Sequence, residues 1–550
     1  MELDTIIIGS GVGGLSAAIC LARAGQRVLV LEQHYVPGGW CHSFYINGCR
    51  FTPGVHYVGL LSEGESTREL YDGLGIANDL TFFRMNPAAY EHCRIGNERI
   101  DMPAGFNELY RSLSSRFPEE RKGLAKYLNT VQEISDELQL IPKIKGFWDN
   151  LTIPWRTRHL GRYGLFSLKQ VINWHIKDPL LKNVLNVQWG DHGLPPAKAS
   201  FPLHCAVMVH YFNGGFYPMG GGAAIVKALT KAVKKHGGEI QTSQCVKHIL
   251  LQGSKQKRAI GVELESGEKI YASRIISNTD PGKTYFDLIG AENLSHKLQK
   301  RLSKTKYSCT SLMLFLTVDM DVRKAGLDSG NIWFMADKNT DDLYKEMMTV
   351  DIAKDDEFPM VFISCTTLKD PTSFDGRHHT IEAITFINHE SFNQFKDEGN
   401  HHSPRYIQFK ESLIQKFINS LEKVLPGIGM KIVHRELGTP MTNEHYIHST
   451  NGCVYGTEKG FFQTGPFSFG AKSEIENLYL CGASILSHGV AGASFSGVRT
   501  ASKILKCSQD DLLKADTTQN VQIYNAEDNS EYPEWMNRKM KMKRDRQISI

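Results

Sequence analysis

The sequence predicts an α/β protein in which a nucleotide-binding domain with a parallel sheet is interleaved with a mixed α+β domain. Three observations carry that prediction. An apolar run, Thr5–Ile8, leads through a glycine turn into an Ala/Leu-rich helix-like run ending near Ala24, then into a second strand-like run, Val28–Leu31. In mid-chain, Val246–Leu251, Ala259–Leu264 and Ile270–Ser277 alternate as short strands. Near the carboxyl end, the strand-like Asn477–Ser484 is followed by a glycine-led helix from Gly489 to Leu505. With 550 residues the chain exceeds what one core usually supports, so at least two domains are expected.

The first element is the most informative. Gly9, Gly11 and Gly14 occupy the G-x-G-x-x-G positions, with Ser10 and Gly13 between them. Missing side chains there permit a tight turn, close approach of a pyrophosphate to a helix N-terminus and close helix–strand packing, so a Rossmann-type dinucleotide site is predicted. Glu32 closes the second strand, where a carboxylate accepts hydrogen bonds from an adenosine ribose and repels a 2′-phosphate. That disfavours NADP and leaves FAD and NAD open. Gln33 follows, and then the Gly38–Gly39 pair, whose backbone N–H groups are free to face a ligand.

Residues 66 to 140 read as helical from their apolar spacing in Leu109–Leu113 and Tyr127–Leu138. The stretch 141–177 mixes bases with aromatics, among them Lys143, Lys145, Trp148, Trp155, Arg158, Arg162 and Trp174. It suits either a membrane interface or a partly buried helical hairpin with a solvated basic face. Asn213–Gly222 is a glycine-rich loop holding Tyr217, and an amphipathic helix follows, closed by Gly237 and Gly238. Residues 300–470 alternate strand-like runs (Ser311–Val318, Met360–Ser364, Thr380–Ile387) with a helix-like one, Tyr406–Val424, as a mixed sheet with covering helices requires. From Ser508 the chain is polar and ends in the basic run Arg538–Arg546, expected either as a solvated tail or as a segment drawn to anionic lipid.

Composition removes several classes. A mean hydropathy of −0.30, without any stretch near the roughly 20 apolar residues that span a bilayer, describes a soluble chain with no transmembrane helix. The fold starts at about Thr5, leaving no room for a leader, so a cytoplasmic location is expected. Eleven cysteines without C-x-x-C pairs read as reduced thiols rather than a disulfide framework or zinc site. A net charge of +4 is too small to imply nucleic acid.

The Glu32 and Gly38–Gly39 arrangement resembles the FAD-containing amine oxidase and phytoene desaturase superfamily. Val55–Gly59 (Val-His-Tyr-Val-Gly) and Gly214–Gly221 (Gly-Gly-Phe-Tyr-Pro-Met-Gly-Gly) are similar to narrower motifs of its retinol saturase and carotenoid isomerase branch. The resemblance spans about residues 1–505 and departs from the branch at Met219, where a base is frequent. It implies FAD as cofactor, bound by Gly9, Ser10, Gly11, Gly13, Gly14, Glu32, Gln33, Gly38, Gly39, Val246, Gly482, Gly489, Val490 and Gly492. It also implies an FAD domain built from 1–68, 213–300 and 471–506, a substrate domain from 69–212 and 301–470, and a basic tail over 507–550.

The implied chemistry is reduction of a C=C bond in a retinoid- or carotenoid-like polyene, with isomerisation or desaturation as the alternative and a prenyl-lipid escort protein as the non-enzymatic one. His56, Tyr57 and, second, Tyr217 are the candidate proton donors, with His488 weaker. No second G-x-G-x-x-G is present, so the electron donor is unidentified. Peripheral membrane contact is expected because an apolar substrate has to be drawn from lipid.

Overall fold

The computed structural model describes residues 3–141, 152–254, 256–398, 403–514 and 520–548. Lys143, Lys145 and Trp148 of the basic–aromatic stretch lie outside the described residues.

The first sheet has seven strands. At its centre Leu3–Ile8 pairs in parallel with Val28–Leu31 on one side and with Lys269–Ser277 on the other. Glu239–Gln241 extends the first edge, and Leu478–Leu480 pairs in parallel with the end of Lys269–Ser277. The start of that long strand instead pairs antiparallel with Arg258–Leu264, and this with Val246–Gln252. Ile6, Ile7 and Val30 are fully buried. Such unbroken apolar runs suit strands covered on both faces, which is what parallel pairing with crossover helices imposes.

Helix Val12–Arg23 is buried over nearly its whole length, between the sheet and the helices Gly222–Lys235 and Gly489–Leu505. Only small residues allow this. A Cβ on Gly497 would stand 2.0 Å from the Gly13 carbonyl oxygen, so the two helices cross with backbone against backbone.

The second sheet also has seven strands, in the order Ile432–Gly438, Thr310–Val318, His379–Ile387, Met360–Cys365, Asn331–Met335, Glu91–Ile95, Glu98–Met102. Its pairs are antiparallel except Asn331–Met335 with Glu91–Ile95. Alternation along Thr310–Val318 divides the core. Leu312, Leu314, Leu316 and Val318 pack under helix Pro404–Glu422, whereas Met313 and Phe315 point to the opposite face with Trp333, Phe362 and Phe386. That face meets helices Arg121–Leu140 and Phe201–His210 through Tyr127, Leu128, Phe201 and Cys205.

Two expectations are corrected. Residues 66–140 are not uniformly helical: Ser66–Leu74, Phe106–Arg116 and Arg121–Leu140 are helices, but Thr81–Arg84, Glu91–Ile95 and Glu98–Met102 are strands. Gly96 at φ +55° and Asn97 form a two-residue hairpin turn between the last two, and the first is a β-branched and aromatic run. The carboxyl-terminal segment is not simply solvated. Gln522–Asn525 pairs in parallel with Thr81–Arg84, which pairs antiparallel with Phe216–Pro218. Met536 and Met540 of helix Glu534–Ile548 then bury against Phe83 and Tyr532. This small sheet draws one strand from each of the three units that the sequence suggested. Among the described residues no helix is long and apolar enough to cross a membrane.

Because the Gly13–Gly497 crossing leaves no space for a branched side chain, Gly497→Val is expected to destabilise the protein by roughly 1–3 kcal/mol through overpacking. Chemical denaturation of the variant against wild type measures this.

Candidate functional site

The glycine turn is built before any ligand is considered. Gly9 takes φ +91°, and its N–H donates to the Leu31 carbonyl at 2.8 Å. A Cβ on Gly14 would lie 2.3 Å from the Gly9 carbonyl oxygen, which excludes every other residue there. Buried Ser10 donates its backbone N–H (2.9 Å) and hydroxyl (2.5 Å) to Glu32 Oε2, and its Oγ accepts the Gly38 N–H at 3.0 Å. Glu32 Oε1 accepts the His34 N–H at 2.9 Å. One carboxylate thus ties the turn, the second strand and the Gly38–Gly39 loop together. Gly38 and Gly39 are at φ +124° and +54°, and a Cβ on Gly39 would sit 3.4 Å from Gly11 Cα.

A cavity of about 520 Å³ starts at this cradle. Its lining includes Glu32, Gln33 and Val246, the glycines Gly9, Gly11, Gly13, Gly38 and Gly39, and Gly482, Gly489 and Val490. Helix Gly489–Leu505 begins there without a side-chain cap, so its first N–H groups and positive dipole end suit an electron-rich group. Beyond it the walls become apolar: Met313, Trp333, Phe362, Ile384 and Phe386, all from one face of the second sheet. Ser10, Gly14 and Gly492 do not line the cavity. The first two shape the turn, and a Cβ on Gly492 would meet Ser487 Cβ at 2.7 Å.

His56 and Tyr57 reach the cavity wall. The His56 Nδ1 lies 3.0 Å from Glu382 Oε2, and the Tyr57 hydroxyl donates to Asp191 Oδ2 at 2.7 Å while its ring stacks on Tyr211 at 4.0 Å. Burial raises the Tyr57 phenol well above its ordinary range. Tyr217, expected beside the reaction, is elsewhere: it is buried behind the wall with Lys369 Nζ 5.7 Å from its ring, because Phe216–Pro218 is held in the small sheet. His488 Nε2 donates to the Asp191 carbonyl (2.6 Å), and burial beside Lys459 pushes its pKa down to about 3, so it is a neutral structural group.

Four residues without a motif complete the site. Buried Lys369 donates to the His56 carbonyl and Ser364 Oγ, each at 2.8 Å, and to Asn331 Oδ1. Burial lowers its pKa to about 8 against the pull of Glu91 and Glu382. Glu91 accepts the Trp333 indole N–H at 2.8 Å, and burial pushes it up to about 8. Glu382 accepts the Thr52 N–H at 2.7 Å. Burial likewise pushes Asp191 up to about 7. The signal for Glu382 was available, since it is an acid inside the strand-like run Thr380–Ile387, a placement that costs energy without a partner; Glu91 opens a short strand shared with His92 and Arg94 and carried no such signal.

A model of the flavin containing amine oxidoreductase family matches residues 12–341 of the chain. The chain belongs to that family. It is an FAD-dependent oxidoreductase with a Rossmann-type α/β fold. A family relative, the all-trans-retinol 13,14-reductase of Danio rerio, is 31% identical over 529 residues, covering 92% of this chain and 86% of that one. The chloroplastic prolycopene isomerase of Daucus carota is 26% identical, covering 92% and 80%. An oxidoreductase structure from Methanosarcina mazei shares the fold at a TM-score of 0.60 and 16% identity, covering 92% of this chain and 100% of that one.

Removing the buried ammonium tests the charge balance. Lys369→Met removes the buried ammonium that faces Glu91 and Glu382 and is expected to cost about 3–5 kcal/mol at neutral pH. Since the folded variant holds its carboxyl protons more tightly than the unfolded chain, the deficit shrinks as pH falls toward the carboxylate range. Denaturation at a series of pH values reads both effects.

Proposed function

We propose that the protein saturates a C=C bond of an apolar, retinoid- or carotenoid-like polyene. The observation that carries this reading is the continuity of one cavity from the glycine cradle to a wall of Met313, Trp333, Phe362, Ile384 and Phe386. Such walls favour a long apolar conjugated chain and fix its position by shape, so the bond that reacts depends on how deeply the chain enters. A curated relative acting as a retinol 13,14-reductase supports the same chemistry.

FAD fits the chain's own residues. In this reading Glu32 and Gln33 meet the adenosine ribose, Val246 the adenine, and Gly9, Gly11 and Gly13 the pyrophosphate. Gly38 and Gly39 lie along its length, with Gly482, Gly489 and Val490 beside the isoalloxazine ring. When bound and reduced, FAD supplies the hydride. His56 and Tyr57 flank the reacting chain, and the apolar wall excludes water from it. Segments 1–68, 213–300 and 471–506 then form the FAD unit, and the electrons come from a separate donor. Isomerisation of a polyene is the second reading, favoured by the likeness to prolycopene isomerase. The prenyl-lipid escort reading predicts a folded chain with no FAD requirement.

An apolar substrate also argues for a peripheral membrane habit. Trp155 and Leu165 are 86% and 84% exposed, close in sequence to Arg158 and Arg162. Aromatic and basic side chains in that combination suit an anionic lipid surface.

The decisive measurement is anaerobic: photoreduced enzyme is mixed with all-trans-retinol or a carotene, and flavin absorbance and product mass are read. Flavin reoxidation with a gain of two hydrogens is expected; unchanged mass with altered geometry would establish isomerisation instead. Glu32→Ala is expected to weaken FAD binding about tenfold or more, through loss of charge-assisted hydrogen bonds, in a fluorescence titration. Trp155→Ala with Trp174→Ala is expected to lower partition onto anionic liposomes, and partition equal to that of wild type would remove the membrane idea.

A further inference from the structure

A C=C bond that takes hydride at one carbon needs a proton at its neighbour, and the acid that lines the cavity together with its apolar wall and Tyr57 is Asp191. It closes the short helix Val187–Asp191 and lines the cavity with Tyr57, Trp333 and Phe362. Gly190 and His192 on either side are buried, yet Asp191 retains accessible surface, which therefore belongs to the cavity. Its Oδ2 is held by the Tyr57 hydroxyl at 2.7 Å, and the Tyr57 ring is itself fixed by stacking on Tyr211. The backbone is fixed as well, since His488 Nε2 lies 2.6 Å from the Asp191 carbonyl and the Tyr455 hydroxyl donates to the Gly190 carbonyl at 2.8 Å. An acid so placed is oriented before substrate arrives.

We propose that Asp191 is the acid that protonates the polyene, with Tyr57 as the residue that positions it. The assignment rests on the polyene-reduction reading. The alkene gains a hydride, with its electron pair, from the reduced cofactor at one carbon. Its π electrons shift to the neighbouring carbon, which takes the proton as the Asp191 O–H bond breaks. The product has gained two hydrogens, Asp191 is left as carboxylate, and the Tyr57 hydroxyl stabilises that charge until water returns the proton.

The surroundings hold a proton on the carboxyl pair of Asp191 and Glu91, of which only Asp191 lines the cavity. The groups around Asp191 are Tyr57, Tyr90, Tyr211, Tyr455, His488 and Glu91. Burial holds the four phenols neutral and keeps His488 unprotonated, as it does His192 next in the chain. Two buried carboxyls remain, and their mutual repulsion keeps a proton on the pair. Glu91, pushed up by burial and by Asp191, has the Trp333 indole at 2.8 Å, Asn331 Nδ2 at 3.4 Å, the Tyr57 hydroxyl and the nearby Lys369 ammonium around it, and it does not line the cavity. Asp191 has the Tyr57 hydroxyl and the cavity. His56 also lines the cavity, with its Nδ1 directed at Glu382.

The test uses FAD-loaded, photoreduced wild type, Asp191→Asn, Asp191→Glu, Tyr57→Phe and His56→Gln with all-trans-retinol. Asp191→Asn is expected to slow flavin reoxidation by about 100-fold or more at unchanged FAD content, with partial recovery in Asp191→Glu. The wild-type rate is expected to fall as pH rises through neutral, and Tyr57→Phe, which removes a hydrogen bond favouring the carboxylate, to move that fall to higher pH. Infrared spectra of the resting protein are expected to show a buried carboxylic C=O band that titrates near neutral pH and is lost in Asp191→Asn. Unchanged single-turnover rates in Asp191→Asn, or the rate loss confined to His56→Gln, would overturn the assignment, as would absence of an Asp191-dependent band. Failure of every polyene to reoxidise the wild type would instead overturn the reaction reading, with the infrared titration still deciding whether Asp191 holds the proton.

Discussion

The cofactor end of this protein depends on side chains being absent where a strand and two helices converge. A Cβ on Gly13 would meet the Ala493 carbonyl at 2.9 Å and Gly482 Cα at 3.1 Å, and one on Gly11 would meet Asn278 Nδ2 at 2.7 Å. Close backbone approach brings the amino-terminal helix, the end of Lys269–Ser277 and the start of Gly489–Leu505 to one place. Their unpaired N–H groups and dipole ends then face the same space. Glu32 secures the arrangement by bonding Ser10, which in turn receives the Gly38 N–H. Met313 and Phe362, from one face of the second sheet, line the same cavity.

The nucleotide-binding half was the more legible in sequence. Its strands are short, continuous apolar runs with glycine turns at fixed offsets, and that pattern has few other physical readings. Leu478–Leu480 and Gly489–Leu505 were identifiable for the same reason. Thr81–Arg84 was not, because four residues beside helices carry little periodicity, and its partners come from residues 216–218 and 522–525. The carboxyl-terminal helix misleads differently. Its composition is basic and polar, and Met536 and Met540 are enough to dock it on Phe83.

At the reaction end the sequence located a neighbourhood rather than its chemistry. His56 and Tyr57 sit in a recognisable segment, but Asp191, Glu91, Lys369 and Glu382 come from separate stretches that only the tertiary fold assembles. Tyr217 shows the converse: the motif that drew attention to it exists to make strand Phe216–Pro218 and the helix start at Gly222, with the phenol turned away from the cavity. Buried charge of this kind costs stability unless each group finds partners, and here Lys369 answers Glu91 and Glu382.

The pairing of Ile275–Ser277 with both Ile6–Ile8 and Leu478–Leu480 has a consequence for biosynthesis. Strand Leu3–Ile8 is translated well before two of the elements that bury it, Lys269–Ser277 and Leu478–Leu480. Until then its apolar edge has no lasting cover, and contacts of such sequence separation form slowly. A complete cradle therefore exists only once residues beyond 478 have joined the sheet. A product ending before residue 478 would lack the part of the lining formed by Gly482, Gly489 and Val490, which makes occupancy by flavin a sensitive report of whether that part of the fold is in place.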